Sequence, residues 1–399
     1  MKVFFSFVFI SQLILSFSFA SMKYNPVGEL SVYGGKYYLD GDSSSADLKL
    51  DAFFSPSLIL DEKNEIYPVY MGYYNGTQDV QELAGGGVLT RQRQEHTVSL
   101  KYLRINDFDK IKPRISYSKS LVKETKDEKW GKGLFDYDTL AMGVEFEQER
   151  PKGTFTQSYD YFSVRYPNYS SLISSAETAI DTTTYSELSK NAGENTMNND
   201  SHRLAFSYTW FPEKSVMKVL ANFTYRTYSD QSIVNEIGGF KTEKRKDMIA
   251  GGGFRWEKPS KNLPLSFDIY LDRQFSNQNS YDASRTKYIE DFYGYAQVSA
   301  GPRADFFFKN GSSFGYALNW RKIYYSGRLA QDAAGNYKND KINQEFWLNS
   351  LYFRYPLGKK IFAKISYSYQ TSSSNMRYEA GYRYNYSASS LLAGLQWEF

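Results

Sequence analysis

The sequence has 399 residues, a formal net charge of +4 and no cysteine. Near-neutral charge without a basic run excludes a nucleic-acid binder, and a chain without cysteine has no disulfides, thiolate metal sites or thiol nucleophiles. Only 41% of the residues are hydrophobic, yet 36 are Tyr and 29 are Phe, an aromatic load commonest in strands and at membrane–water interfaces.

The first residues, MKVFFSFVFISQLILSFSFASM, join a positive start at Lys2 to an apolar core over 3–17 and small residues at Ser18 and Ala20. That pattern predicts export, with cleavage after Ala20. The expected organisation is a signal peptide over 1–20 and one unit over 21–399. No Cys follows the apolar core, so no lipid anchor is expected. Beyond it no segment approaches the roughly 18 consecutive apolar residues of a transmembrane helix.

Downstream, stretches of about ten residues alternate apolar and polar side chains. Met217, Val219, Ala221, Phe223 and Tyr225 oppose Lys218, Leu220, Asn222, Thr224 and Arg226. Leu265, Phe267, Ile269 and Leu271 oppose Ser266, Asp268, Tyr270 and Asp272, and residues 314–321 and 361–370 repeat the pattern. Successive strand side chains point to opposite faces, so each stretch predicts a strand with one apolar and one wet side. Across 292–308 the even positions read Phe, Gly, Ala, Val, Ala, Pro, Ala, Phe, Phe. Small apolar residues bracketed by rings make the banded wall of a membrane barrel; Pro302 is expected to cost one ladder hydrogen bond. Four stretches, 29–38, 65–74, 154–165 and 343–355, alternate poorly.

Short polar turns occur at DEKN (61–64), DFDKIK (107–112), RPKG (150–153), PEKS (212–215), KPSKNLP (258–264), KNGS (309–312) and PLGKK (356–360). Between them lie longer polar segments near 39–46, 75–95, 123–137, 166–201, 229–246, 276–290, 326–342 and 372–385. The expected fold is all-β: a transmembrane antiparallel up-and-down β-barrel of about 16 strands, with about 14 or 18 as alternatives. Short turns on one side and long loops on the other place both termini in the periplasm.

The chain ends LLAGLQWEF, with Leu391, Ala393, Leu395, Trp397 and Phe399 on one face. A barrel must pair its last strand with its first, because an open strand edge in hydrocarbon is prohibitively costly. This tail resembles the C-terminal signal of bacterial outer-membrane β-barrel proteins, a general porin-like class. In that class the last residue is aromatic with apolar residues alternating upstream, as Leu395, Trp397 and Phe399 do here. The resemblance spans the mature chain and implies a Gram-negative outer-membrane location with lipid around the wall. It also implies periplasmic chaperones and the barrel-assembly machinery as partners in biogenesis, and a homo-trimer, common for pores of this size.

The wet faces supply fourteen candidates for a pore lining: Lys49, Asp51, Arg114, Glu145, Arg203, Lys218, Arg226, Arg255, Asp268, Asp272, Arg303, Asp305, Arg321 and Lys364. On the lipid side at mid-depth an Arg or Lys costs about 2–4 kcal/mol, so these residues must face water or one another. An aqueous channel for passive diffusion of small hydrophilic solutes satisfies that demand, and so does a lumen filled with salt-bridged pairs. The alternative role is a surface, structural or adhesion barrel, or one exporting polypeptide or lipid. A rim hydrolase is the third reading, and it would need His96 or His202, the only two histidines. Expected at the outer ends of the fourth and eighth strands, they stand too far apart to act together, so no catalytic residue is expected. Neither a metal nor a cofactor is expected. Asp61-Glu62 and Glu290-Asp291 lack calcium-ligand spacing. Gly251-Gly252-Gly253 lies within a strand, where it should permit local curvature. In 166–201, Ile173, Ala176, Ala179 and Ile180 recur at loosely helical spacing, suiting either a pore constriction or a surface cap.

Overall fold

Alternation with period two folds into strand along nearly the whole chain; a computed structural model describes residues 23–82, 88–123, 128–169, 195–283, 285–379 and 383–399. The expected signal peptide over 1–20 and the helical spacing over 173–180 lie outside them. Sixteen strands build the wall: β1 (Gly28–Leu39), β2 (Asp42–Phe54), β3 (Asn64–Glu82), β4 (Val88–Asn106), β5 (Asp109–Lys123), β6 (Tyr137–Arg150), β7 (Gly153–Arg165), β8 (Asn199–Trp210), β9 (Val216–Val234), β10 (Phe240–Lys258), β11 (Leu265–Ser276), β12 (Tyr295–Phe307), β13 (Ser313–Gln331), β14 (Tyr337–Pro356), β15 (Ile361–Ser374) and β16 (Tyr386–Glu398). Each is antiparallel to its neighbours, and β16 pairs with β1 from Glu29↔Glu398 to Leu39↔Ala388. The strand number, the order and the closure expected from the sequence are all present. Closure leaves no open edge, the condition for a sheet to stand in hydrocarbon.

Directly opposed residues of paired strands share a face, so the register sorts the whole wall. One face is apolar and exposed: Leu30 and Val32 on β1, Val98 and Leu100 on β4, Leu204 and Phe206 on β8, Leu391 and Leu395 on β16. Rings gather on it near the turns, at Phe306, Phe353, Tyr355 and Trp397, and again farther up, at Tyr117, Tyr159, Tyr324 and Trp347. So extensive an apolar surface is untenable in water and is what an acyl-chain environment requires. This is the architecture of a bacterial outer-membrane β-barrel.

The poorly alternating stretches are wall strands too. Their inner faces carry rings and aliphatic groups, Tyr33, Tyr73, Phe162, Phe346 and Leu348, which blur the contrast between the two sides. Pro302 pairs with Phe267 on β11, whereas its seam with β13 runs to Ala300↔Trp320 and resumes at Arg303↔Ala317.

At the turn end the connections are short, for example 107–108 and 151–152. At the loop end four connections are narrower than the polar segments suggested. β1 and β2 join across Asp40 and Gly41, and β3 and β4 run to Glu82 and from Val88. Only 235–239 separates β9 from β10, and 332–336 separates β13 from β14. Above the lipid both strand faces are wet, so alternation ends while hydrogen-bonded pairing continues. Three hairpins therefore stand tall: β3–β4, β9–β10 and β13–β14 have strands of 19 or 20 residues. At the β13–β14 tip, Asp332 accepts hydrogen bonds from the amides of Asn336 and Ala334, both at 2.9 Å. Those donors, Asn336 foremost, hold its carboxyl below the usual range.

Candidate functional site

The register places all fourteen ionisable candidates on the face opposite the apolar one. They fall into three sectors of the inner wall with different chemistry.

From β5 to β8 the wall is an ion-pair ladder. Lys110 Nζ lies 2.9 Å from Glu147 and 2.8 Å from Glu149, and Lys112 Nζ lies 2.7 Å from Glu145 and also meets Glu147. Arg114 Nη2 donates to Asp160 at 2.6 and 2.7 Å, and its Nε at 2.9 Å, while Glu145 stands 3.5 Å from Nη1. Arg114 is on β5 and Asp160 on β7, so the contact spans two strand spacings, about 10 Å. Side chains converge that far readily on the concave side, which identifies this face as the lumen. Arg203 and Lys218 adjoin the ladder without a carboxylate partner among the described residues. With Thr156, Ser158, Ser207 and Asn222 they line a recess of about 260 Å³.

From β9 to β12 two of the three glycines, Gly251 and Gly253, lie against a side chain of the inner wall. Tyr270 lies across β10, and its hydroxyl accepts from Asn222 Nδ2 on β9 at 2.6 Å. A Cβ at Gly251 or Gly253 would strike its ring or hydroxyl. The glycines make room for a tyrosine. Asp272 accepts from Gln297 Nε2 at 2.9 Å, and its other oxygen is buried without a partner among the described residues. Arg255 and Asp268 stand directly opposite each other.

From β12 round to β2 the cations lie over rings. Arg321 is 4.4 Å from the Phe346 centroid, and Lys364 is 5.4 Å from Tyr33 and 5.7 Å from Tyr352. Arg303 Nε donates to Asp305 at 2.9 Å, and both residues meet the Tyr352 hydroxyl. Lys49 lies 3.9 Å from Asp51 and 5.5 Å from the Tyr73 ring. Arg321 and Lys364 gain ring attraction with no carboxylate in ion-pair distance among the described residues.

Nearer the loops, Arg245 and Asp247 form a buried pair at 2.8 Å, the guanidinium lying 4.4 Å from the Tyr228 ring and 4.0 Å from that of Tyr293.

Sequence reading missed Lys110, Lys112, Glu147 and Asp160. Residues 107–112 read as one turn, but the turn is 107–108, with Asp107 at a positive φ of 42°. That leaves Lys110 and Lys112 on the strand. Asp160 sits among rings on both faces, so its phase was hidden. The inner rings carried no signal at all.

Both histidines are on the outer face. The Tyr70 hydroxyl is 3.1 Å from His96 Nδ1 and the Tyr159 hydroxyl 2.8 Å from His202 Nδ1. They belong to β4 and β8, four strands apart. Asp61 accepts from the Lys63 amide at 2.8 Å and closes its own turn. Leu395 and Trp397 face outward, and the Phe399 ring packs 5.4 Å from Trp397 and 6.1 Å from Phe54. The Phe399 backbone exchanges both hydrogen bonds with Gly28.

No family model matches the sequence, and no curated protein matches it. Among solved structures, OmpT of Vibrio cholerae in a trimer form is similar, at 9% identity over 95% of this chain and 100% of that one, with a TM-score of 0.46. OccAB3 of Acinetobacter baumannii is similar at 8% identity over 94% and 100%, with a TM-score of 0.48. OpdK of Pseudomonas aeruginosa, in a structure with vanillate, is similar at 7% identity over 94% and 99%, with a TM-score of 0.44. These likenesses concern the fold.

Proposed function

We propose that the chain is an outer-membrane channel through which small hydrophilic solutes diffuse passively, with both termini and the turn end in the periplasm. One observation carries the reading. Arg203, Lys218, Arg226, Arg321 and Lys364 stand on the inner wall with no carboxylate within ion-pair distance among the described residues. In a filled lumen each would be a buried, uncompensated charge costing several kcal/mol. Water in the lumen removes that cost, and sixteen-stranded barrels are wide enough to hold it. In this reading Leu395, Trp397 and Phe399 are the address read during assembly.

Folded protein in planar bilayers should give ohmic single-channel steps. Arg321→Glu should move the reversal potential in a salt gradient toward cation preference, because a free wall charge changes sign. Protein that is demonstrably folded yet gives no steps, and no solute flux in liposomes, would overturn the channel.

The same proposal makes the chain no enzyme. Each histidine is turned to the lipid side and engaged by a tyrosine. The double variant His96→Ala, His202→Ala should leave lipase and protease assays unchanged. A hydrolysis that disappears with the histidines would revive the rim enzyme.

A further inference from the structure

On the outer wall β12 is a channel of its own kind. Its outward residues are Ala296, Val298, Ala300 and Pro302, all short, between taller side chains on β11 and β13. Leu271 opposes Val298 on one side and Lys322 opposes it on the other; Arg273 and Tyr324 flank Ala296 in the same way. The result is a trough along the strand whose upper part is a recess of about 560 Å³ lined by Leu271, Arg273, Ala296, Val298 and Tyr324. The walls are two strand spacings apart, about 10 Å before their side chains narrow the gap, the width of a hydrocarbon chain.

Two cations stand at its upper end, one on each wall. Arg273 is the eighth residue beyond Leu265 at the turn end, roughly 20 Å up a tilted strand and close to the top of the apolar band of about 25 Å. Its guanidinium lies 4.5 Å from the exposed Phe275 ring, and it has no ion pair or hydrogen bond among the described residues. The loop residue Asp291, whose carboxyl is pushed up by burial, has Arg273 among the charges opposing that rise. Lys322 Nζ lies 3.4 Å from Glu345 and 5.5 Å from the Tyr324 ring. One carboxylate contact leaves its remaining N–H groups available. A bare guanidinium at the edge of hydrocarbon is costly unless an anion meets it.

We infer that this trough is a lipid site. One acyl chain of a phosphate-bearing lipid lies along β12, and its phosphate bridges Arg273 and Lys322. A phosphate suits both groups, since guanidinium and ammonium donate charge-assisted hydrogen bonds to its oxygens. The inference needs only that the outer face meets lipid; it stands whether or not the lumen conducts.

Native mass spectrometry of the folded full chain, titrated with bisphosphorylated lipid A, tests it. Wild type should retain one lipid more tightly than the double variant Arg273→Gln, Lys322→Gln, which should bind about tenfold or more weakly. Val298→Trp fills the trough, keeps both cations and should lose binding equally. Arg321→Gln on the inner wall should bind as wild type. Lipid A stripped of its phosphates should not compete. Unchanged binding in either outer variant, or equal binding of the stripped lipid, would overturn the site. Inorganic phosphate competing on its own would mark a free-anion site instead and overturn it too. Because the chain has no cysteine, Val298→Cys reports self-association directly. Rapid disulfide dimers would show a second copy on this face and likewise defeat the inference.

Discussion

Valine in place of Gly394 is expected to leave the wall unable to close. Gly394 sits on β16 in the last seam, opposite Tyr33 of β1 and Lys364 of β15. A Cβ there would overlap the Val32 carbonyl oxygen and come within 2.8 Å of the Tyr33 Cα. Both obstacles are backbone, held by the ladder on either side, so neither can yield as a side chain would. Overpacking a well-ordered site costs about 1–3 kcal/mol, and a backbone obstacle puts this case at about 3 kcal/mol or more. Failure of the seam then frees two strand edges in hydrocarbon, which multiplies the effect. Gly34, on the same β1 strand, has no heavy atom within 4 Å of its would-be Cβ, so Gly34→Ala is the matched control. After refolding into liposomes, Gly394→Val should lack the heat-modifiable gel mobility and trypsin resistance that Gly34→Ala retains. Equal folding of the two variants would refute the tightness of the seam.

The second large effect separates the two faces of one strand. Ile365 on β15 is half exposed on the outer face, and Ser368, three residues on, faces inward opposite Ser390 and Ser350. An arginine at 365 must stand in acyl chains, and Ile365→Arg should destabilise the barrel by about 2–4 kcal/mol. An arginine at 368 meets the wet side, and Ser368→Arg should change stability by only about 0.5 kcal/mol. Urea unfolding of both variants in liposomes measures the difference. Costs of similar size would mean that the inner and outer faces have been exchanged.

How much of this was legible in the sequence differs along the strand. Where lipid lies on one side and water on the other, as at Leu265 to Asp272, residue chemistry must alternate, and the strand announces itself. Where rings and aliphatic groups line the lumen, as at Phe346, Leu348 and Tyr352, both sides are partly apolar and the contrast fades. Above the lipid both sides are wet, so the upper parts of β9, β10, β13 and β14 read as loops although they remain paired. The inner wall was legible by face and opaque by partner. Alternation puts Arg114 on the inner side, but its meeting with Asp160 depends on register across three strands, which no single sequence displays. The aromatic neighbours of Arg321 and Lys364 were hidden for the same reason.

The unequal strand lengths have an outcome for whatever approaches from the loop end. A span needs only about 9–11 residues, so the hairpins of 19 and 20 residues carry their tips some 20 Å clear of the bilayer. Those turrets alternate with low ground such as the two-residue bend at Asp40 and Gly41. A bulky partner such as an antibody would meet the hairpin tips before it met the wall below them. Residues 235–239 and 332–336 can therefore drift to new surface identities without disturbing a single group of the lining below.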